Sequence, residues 1–276
     1  ILALLFNTFA TSWAVRPIKK LSNAMQEVSK GNFDIKIDVD GSDEIASLQK
    51  TFNMMTEGLK KNEEESKEFV ATLSHEYKTP ITAISGYADL LQRSDLTEEE
   101  RREYLSVICE QAKRLSNLST EMLQLARLDS NVAGLEKEEF SLDEQVRTAV
   151  LALEPMWAAK NTDLDIDLDE VTIFANKSML SHVWENLISN AVKFTPEGGK
   201  IVISLKNGAD SVRFEVRDSG CGISPEALPK IFDRFYKSKA PENAGGNGLG
   251  LAITKRIVDM SGGTVSAASE VGKGTT

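Results

Sequence analysis

Apolar residues recur three and four positions apart over long stretches of this 276-residue chain. That spacing commits those stretches to helices packed side by side along a narrow seam. From Pro17 the seam runs through Ile18, Leu21, Met25 and Val28, and Gly31 closes it. After the extended run NFDIKIDVDGSD, the residues Ile45, Leu48, Phe52, Met55 and Leu59 resume the same spacing. A connector of about twelve residues spans roughly 40 Å when stretched, against a rise of roughly 21 Å for a fourteen-residue helix. It can therefore run back along the first helix, which allows two parallel helices. Continuing the heptad places Asn62 and Ser66 on the seam before Phe69 and Leu73. Polar seam residues mark either a soft joint within one long helix or a solvated helix end.

A helix over 66–93 comes next, ended by RSD, and Thr97 with Glu100 forms a capping box for its successor. That successor carries Tyr104, Ile108, Gln111, Leu115, Leu118, Met122, Leu125 and Leu128, again on one seam. Two such helices joined by a short turn form an antiparallel hairpin whose apolar stripe exceeds what one partner covers, so a dimeric four-helix bundle is expected. Beyond DSNVAGLEKEEF the texture changes. Helical patterns over 141–159 and 176–194 alternate with the strand-like runs DLDIDL, VTIFA, KIVISLK and SVRFEVRDS, which predicts an α/β or α+β domain with its seam near Gly134.

Charge and cysteine content narrow the function. With 32 basic against 42 acidic residues the net charge is −10, which repels a phosphate backbone and disfavours nucleic acid. Cys109 and Cys221 are too few for a disulfide framework or thiolate zinc site, and a reducing, cytosolic setting fits them. The opening ILALLFNTFATSWAV is shorter than the roughly 20 residues that cross a bilayer. It reads as the inner end of a membrane helix, with Arg16, Lys19 and Lys20 on the cytoplasmic side; a buried soluble helix is the alternative. At the other end, GGTVSAASEVGKGTT stops where a further strand is expected.

The stretch SHEYKTPITAISGY holds one of the two histidines. Successive helical side chains turn by about 100°, so His75 lies about 160° from Leu73 and faces away from the seam. An exposed imidazole is a usable nucleophile when its second nitrogen is held by an acceptor, and Glu76 is adjacent. Pro80 removes the N–H that the Glu76 carbonyl would have accepted, so the helix should bend or loosen there. Thr79 shares the face of His75, where a hydroxyl can orient water. Alone, this cluster reads as ordinary surface. Further on, Asn186, Asn190 and Lys193 share one helix face, a neutral hard-ligand set for Mg²⁺ with a cation for phosphate. The turn RDSGCGIS ends a strand in Asp218, a carboxylate able to accept an exocyclic amine, and Gly220 and Gly222 permit a tight turn beside a flat ring. GGNGLGLAITKR brings Gly245, Gly246, Gly248, Leu249 and Gly250 to the start of a helix, a phosphate site by its N–H groups and dipole. His182, Trp157 and Trp184 read as packing or surface residues.

In this order the motifs resemble those of sensor histidine kinases of two-component signalling, over nearly the whole chain. SHEYKTPITAISGY resembles the phosphoacceptor motif and NLISNAVKFTP the asparagine motif; DSGCGI, FDRFYK and GGNGLGLAI resemble the remaining nucleotide motifs. Residues 17–62 resemble the HAMP relay through their heptads, Pro17 and Glu44.

The resemblance implies a multidomain protein. The end of a transmembrane helix (1–15) leads to a HAMP relay (16–65) and an α-helical dimerisation and phosphotransfer hairpin (66–133). An α/β two-layer sandwich ATP-binding domain of the Bergerat type follows (134–276), its C-terminal strand truncated. It implies that His75 is phosphorylated with Glu76 as base, and that Thr79 serves a reverse phosphatase activity. Asn190 would bind Mg²⁺, Asn186 and Lys193 would meet the metal or the phosphates of ATP, and Asp218 would read adenine with Gly220, Gly222 and Thr275. Phe232 and Phe235 would anchor a lid over roughly 236–247, and Gly246, Gly248 and Gly250 would close on the triphosphate. The implied partners are a second copy, a response-regulator receiver domain and the cell membrane, with residues 16–276 cytoplasmic. Tyr77 departs from the small aliphatic residue more usual there. Chaperone and topoisomerase ATPases share the pocket but place a glutamate where this chain has Asn186, with Glu185 offset by about 100°. A non-catalytic dimerisation scaffold is the third reading, against which stands the presence of every pocket residue type.

Overall fold

The computed structural model describes residues 15–129, 136–238 and 246–276. Residues 1–14 of the expected membrane-helix end (1–15), the domain seam at Gly134, Gly245 and the middle of the expected lid lie outside the described residues. Among the described residues no helix is long and apolar enough to cross a membrane. The chain divides into two compact units, with the division after His75.

In the first unit, α1 (Arg16–Ser29) starts with Pro at its first turn, where the missing N–H costs nothing. It ends at Gly31, whose φ of 90° suits glycine and whose N–H meets the Val28 carbonyl. Helix α2 runs from Glu44 to Leu91. Between them the connector is extended, and an extended segment must find partners for its peptide groups. Asn53 of α2 supplies both for Ile37, accepting from its N–H at 2.9 Å and donating to its carbonyl at 2.7 Å. Gln49 accepts from the Asp40 N–H, and Lys60 pairs with Asp34. Connector numbers rise as α2 numbers fall, so the connector runs back along α2 and leaves α1 and α2 parallel, as the connector length allows. Leu21, Ala24, Ile37 and Phe52 form the buried cluster, flanked by Val28 and Ile35. The seam residues Ile18, Met25, Leu48 and Met55 stay exposed. The connector covers one side of the seam and leaves the other bare.

Two helical expectations are corrected. Helix α2 is unbroken, 48 residues including Asn62, Ser66 and Pro80, so of the two readings of the polar seam the single long helix holds, no separate helix starts at 66, and the helix continues through the proline. Proline's fixed φ is itself helical and its cost is one donor. The predicted single helix over 141–159 is two, α4 (Leu142–Ala152) and α5 (Glu154–Ala159). Pro155 enforces this, because it suits a helix start and not an interior.

In the second unit, the end of α2 and α3 (Glu98–Asp129) form the hairpin. Its antiparallel sense follows from two contacts in one register: the Tyr87 and Tyr104 rings, 5.4 Å apart, and Arg114 on Glu76. The capping box is reciprocal, with Glu100 accepting from the Thr97 N–H at 2.8 Å and the Thr97 hydroxyl accepting from the Glu100 N–H at 3.2 Å.

The α/β part has β1 (Glu138–Ser141) antiparallel to β3 (Thr172–Ala175). A second sheet has the order β2 (Asp163–Leu168), β4 (Lys200–Asn207), β5 (Val212–Asp218). The β2–β4 pair is parallel and the β4–β5 pair antiparallel. Period-two alternation buries Ile201, Ile203 and Leu205 completely, each contributing about 1.5–3 kcal/mol. The register sets Leu205, Ile203 and Ile201 opposite Phe214, Val216 and Asp218. Helices α4, α6 (Lys177–Phe194) and α7 (Gly250–Met260) supply the apolar residues of the helical layer, Val146, Val183, Ile188 and Ile257 among them. Trp184 packs against Phe214 at a tilt of 57°, with ring centroids 4.6 Å apart, and donates its N–H to Gln145. Lys160 caps α6, donating to the carbonyls of Val192, Lys193 and Thr195 at 2.8–2.9 Å. A two-stranded ribbon, β6 (Ser269–Glu270) with β7 (Gly274–Thr275), lies last.

Candidate functional site

Asp218 ends β5 two residues after Val216, so the alternation that builds the core also turns its carboxyl toward the helix-covered face. There its Oδ1 accepts from the N–H groups of Gly220 at 2.8 Å and Thr275 at 3.3 Å. Burial raises its pKa against the pull of those two donors. The turn that follows needs glycine twice over. A Cβ on Gly220 would lie 2.6 Å from the Phe194 carbonyl, and Gly222 has a φ of +69° with the Glu270 backbone against it. Thr275, reached only through the β6–β7 ribbon, bonds its hydroxyl to Ser269.

Along α6, Asn186, Asn190 and Lys193 fall on one face as their spacing predicts. The Asn186 amide donates to Thr254 of α7 at 2.8 Å and its oxygen accepts from Asn190 at 3.4 Å. Thr254 is fully buried, so this chain is tied to the core. Lys193 is half-buried, and burial lowers its pKa while Glu121 opposes the shift. Gly250 opens α7 so close to Asn186 that a Cβ would overlap the carboxamide, and a Cβ on Gly246 would lie 2.7 Å from Lys193 Nζ. Leu249 is fully buried and pins the loop. The Phe235 N–H donates to the Gly248 carbonyl at 2.8 Å, joining the two ends of the expected lid, and Lys255 lies over the Phe232 ring at 5.8 Å. A cleft of about 470 Å³ lies beside Asn186 and Gly250, toward His182, Glu185, Leu153 and, on α3, Glu121; Asn190, Lys193 and Asp218 do not line it.

On α2, His75 and Thr79 are exposed, as the helical rotation predicts. Glu76 is largely covered, at 16 % side-chain exposure, and its carboxylate is shared by Lys237 at 2.7 Å and Arg114 at 3.3 Å. Three residues that local patterns did not single out therefore join the site: Arg114, Glu121 and Lys237. Only Lys237 lay within a quoted motif, FDRFYK. A Glu185 carboxylate oxygen lies 4.0 Å from His182 Nδ1 on the same helix.

Sequence models of three families match the chain. They are the HAMP domain over residues 9–61, the His Kinase A (phospho-acceptor) domain over 65–131, and the Histidine kinase-, DNA gyrase B-, and HSP90-like ATPase over 175–276. The heme sensor protein HssS of Staphylococcus saprophyticus is 34% identical over 264 residues, covering 95% of this chain and 56% of that protein. HssS of Staphylococcus aureus strain JH9 is 36% identical over 254 residues, 91% of this chain and 54% of its own. The chain thus spans little more than half the length of these relatives. Among solved structures, histidine kinase ThkA in complex with response regulator protein TrrA aligns with a TM-score of 0.63 at 27% identity, over 75% of this chain and 59% of that one. Full-length ShkA in complex with AMPPNP aligns at 0.56 and 31% identity, over 75% of this chain and 44% of that one. The three family matches give this chain a helical region of HAMP and phosphoacceptor type followed by an α/β ATPase-type domain. The chain belongs to the sensor histidine kinases of two-component systems.

Proposed function

We propose that this chain transfers the γ-phosphoryl group of ATP to His75 and from there to an aspartate of a response regulator. The observation that carries the nucleotide half is the Asp218 carboxylate, drawn into the helix-covered face at one end of a site whose other end holds Lys193 and the start of α7. An acceptor suits an exocyclic amine, and a cation with helix N–H groups suits phosphates. The residues fit the ligand sterically, since side chains at Gly246 and Gly250 would fill the space before Lys193 and Asn186. Mg²⁺, when bound, would neutralise charge on the triphosphate, and Asn190 would hold it through its amide oxygen. Glu76 accepts the Nδ1 proton of His75, and the Nε2 lone pair forms the bond to phosphorus as the bond to the departing ADP oxygen breaks. Thr79, on the same face, orients water for the reverse, phosphatase reaction.

The division into a relay over 16–65, a phosphotransfer hairpin over 66–133 and an ATP-binding domain over 134–276 belongs to the same proposal. So does a homodimer, supported by the exposed seam residues Ile18, Met25, Leu48 and Met55 and by Ile81, Leu90, Leu105 and Leu123 on the hairpin. Anchorage to the cell membrane, with residues 16–276 cytoplasmic, is supported by the HAMP match and by Arg16, Lys19 and Lys20. His75→Gln should abolish acid-labile labelling from ATP while nucleotide binding persists. Labelling that survived the substitution would refute His75 as acceptor.

A further inference from the structure

The hairpin contributes a carboxylate to the phosphate end of the nucleotide site. Glu121 of α3 reaches Asn247 at 3.5 Å, and Asn247 is itself buried, at 7% exposure, between Gly246 and Gly248. Gly246 in turn lies against Lys193 Nζ. Glu121 also lines the cleft that contains Asn186 and Gly250. An anion from the hairpin therefore stands among the donors assigned above to phosphate. Burial raises its pKa, while Asn247 and Lys193 oppose that shift.

We propose that Glu121 sets this site's preference among nucleotides by charge: its carboxylate occupies the ground beside Lys193 and the glycine-rich segment that a terminal phosphate needs, and so disfavours triphosphate relative to diphosphate. The inference rests on the nucleotide reading above. Two negative groups a few ångströms apart in a half-buried site repel far more than in bulk water.

Calorimetric titration of the whole chain with a non-hydrolysable ATP analogue and with ADP, both with Mg²⁺, tests this. Glu121→Gln should raise affinity for the analogue about tenfold and for ADP less than about threefold. Glu121→Asp, which keeps the charge, should restore the original ratio. ADP binding by each variant reports an intact pocket. Equal changes for both nucleotides, or none, overturn the proposal, and a loss of analogue binding in Glu121→Gln overturns it by making Glu121 a metal ligand. A parent chain that binds neither nucleotide removes the nucleotide reading itself, a failure distinct from an unchanged ratio.

Discussion

Asp218 is where a single side chain sets stability against function. Burial holds its pKa above the ordinary aspartate value of 3.8, so the folded protein binds that proton more tightly than the unfolded chain. Its contribution to stability is complete below the unfolded value and is lost as pH rises through the folded one. At neutral pH the ionised carboxylate is a burden on the apo protein. Asp218→Asn removes the charge and keeps an oxygen for the Gly220 and Thr275 N–H groups. It should leave the apo protein at least as stable at pH 7, with the advantage vanishing toward pH 3, while ATP binding falls at least about tenfold, as loss of a charged hydrogen-bond partner predicts. Urea titrations at both pH values and nucleotide titration check the two arms; a destabilised apo protein at pH 7 would contradict the burial argument. Asp218, Gly220 and Gly222, proposed above to meet adenine, stand in the motif DSGCGI, and Thr275 entered only through the family resemblance. That Asp218 faces inward follows from strand parity, while its contact with Thr275 needed the closing ribbon.

At the scale of elements, the first unit shows how a segment without regular structure is held. The connector gains little from its own backbone, and α2 satisfies it from outside. Asn53→Ala would leave the N–H and the carbonyl of the buried Ile37 unpaired, costing about 2 kcal/mol at typical values for buried polar groups. Exchange of the Ile37 amide should then accelerate roughly 30-fold, with the Ala252 amide of α7 as unaffected control; an unchanged Ile37 rate would mean that the clamp is idle. Helix α2 teaches the complementary lesson. Its polar stretch around Asn62 and Ser66 allowed either a soft joint or a helix end, and its proline a bend or a loosening; each costs only a local term, and the helix continues through both. The Leu153 break went the other way, because Pro155 falls one residue after a helix start, where it is favoured.

Across the second unit, ion pairs tie the hairpin to the α/β part. Arg234 grips Asp129 through both carboxylate oxygens at 3.0 and 2.9 Å, Arg256 reaches the Leu128 carbonyl, and Lys237 shares Glu76 with Arg114. Leu125 and Leu128 are buried beside them. The Arg234–Asp129 pair is half-exposed, so it is worth about 0.2–1 kcal/mol and weakens with salt, while the Glu76 carboxylate is more covered. Asp129→Arg should raise hydrogen exchange along 118–128, and the swap Asp129→Arg with Arg234→Asp should recover protection, with a coupling of about 1 kcal/mol in the double-mutant cycle. A swap no better than the single change would show that the pair carries no docking energy.

By itself the sequence determined most of the helices and their faces, because those depend on a periodicity of about 3.6 residues, while the nucleotide motifs were read from their resemblance to a known family. The exposure of His75, the stripe of Asn186, Asn190 and Lys193, and the reciprocal cap of Thr97 with Glu100 are all of this local kind. Only the tertiary structure brought Lys237 to Glu76 across 161 residues and Glu121 to Asn247 across 126. No local period encodes such meetings. They arise where helices and strands built on separate patterns close over a common core.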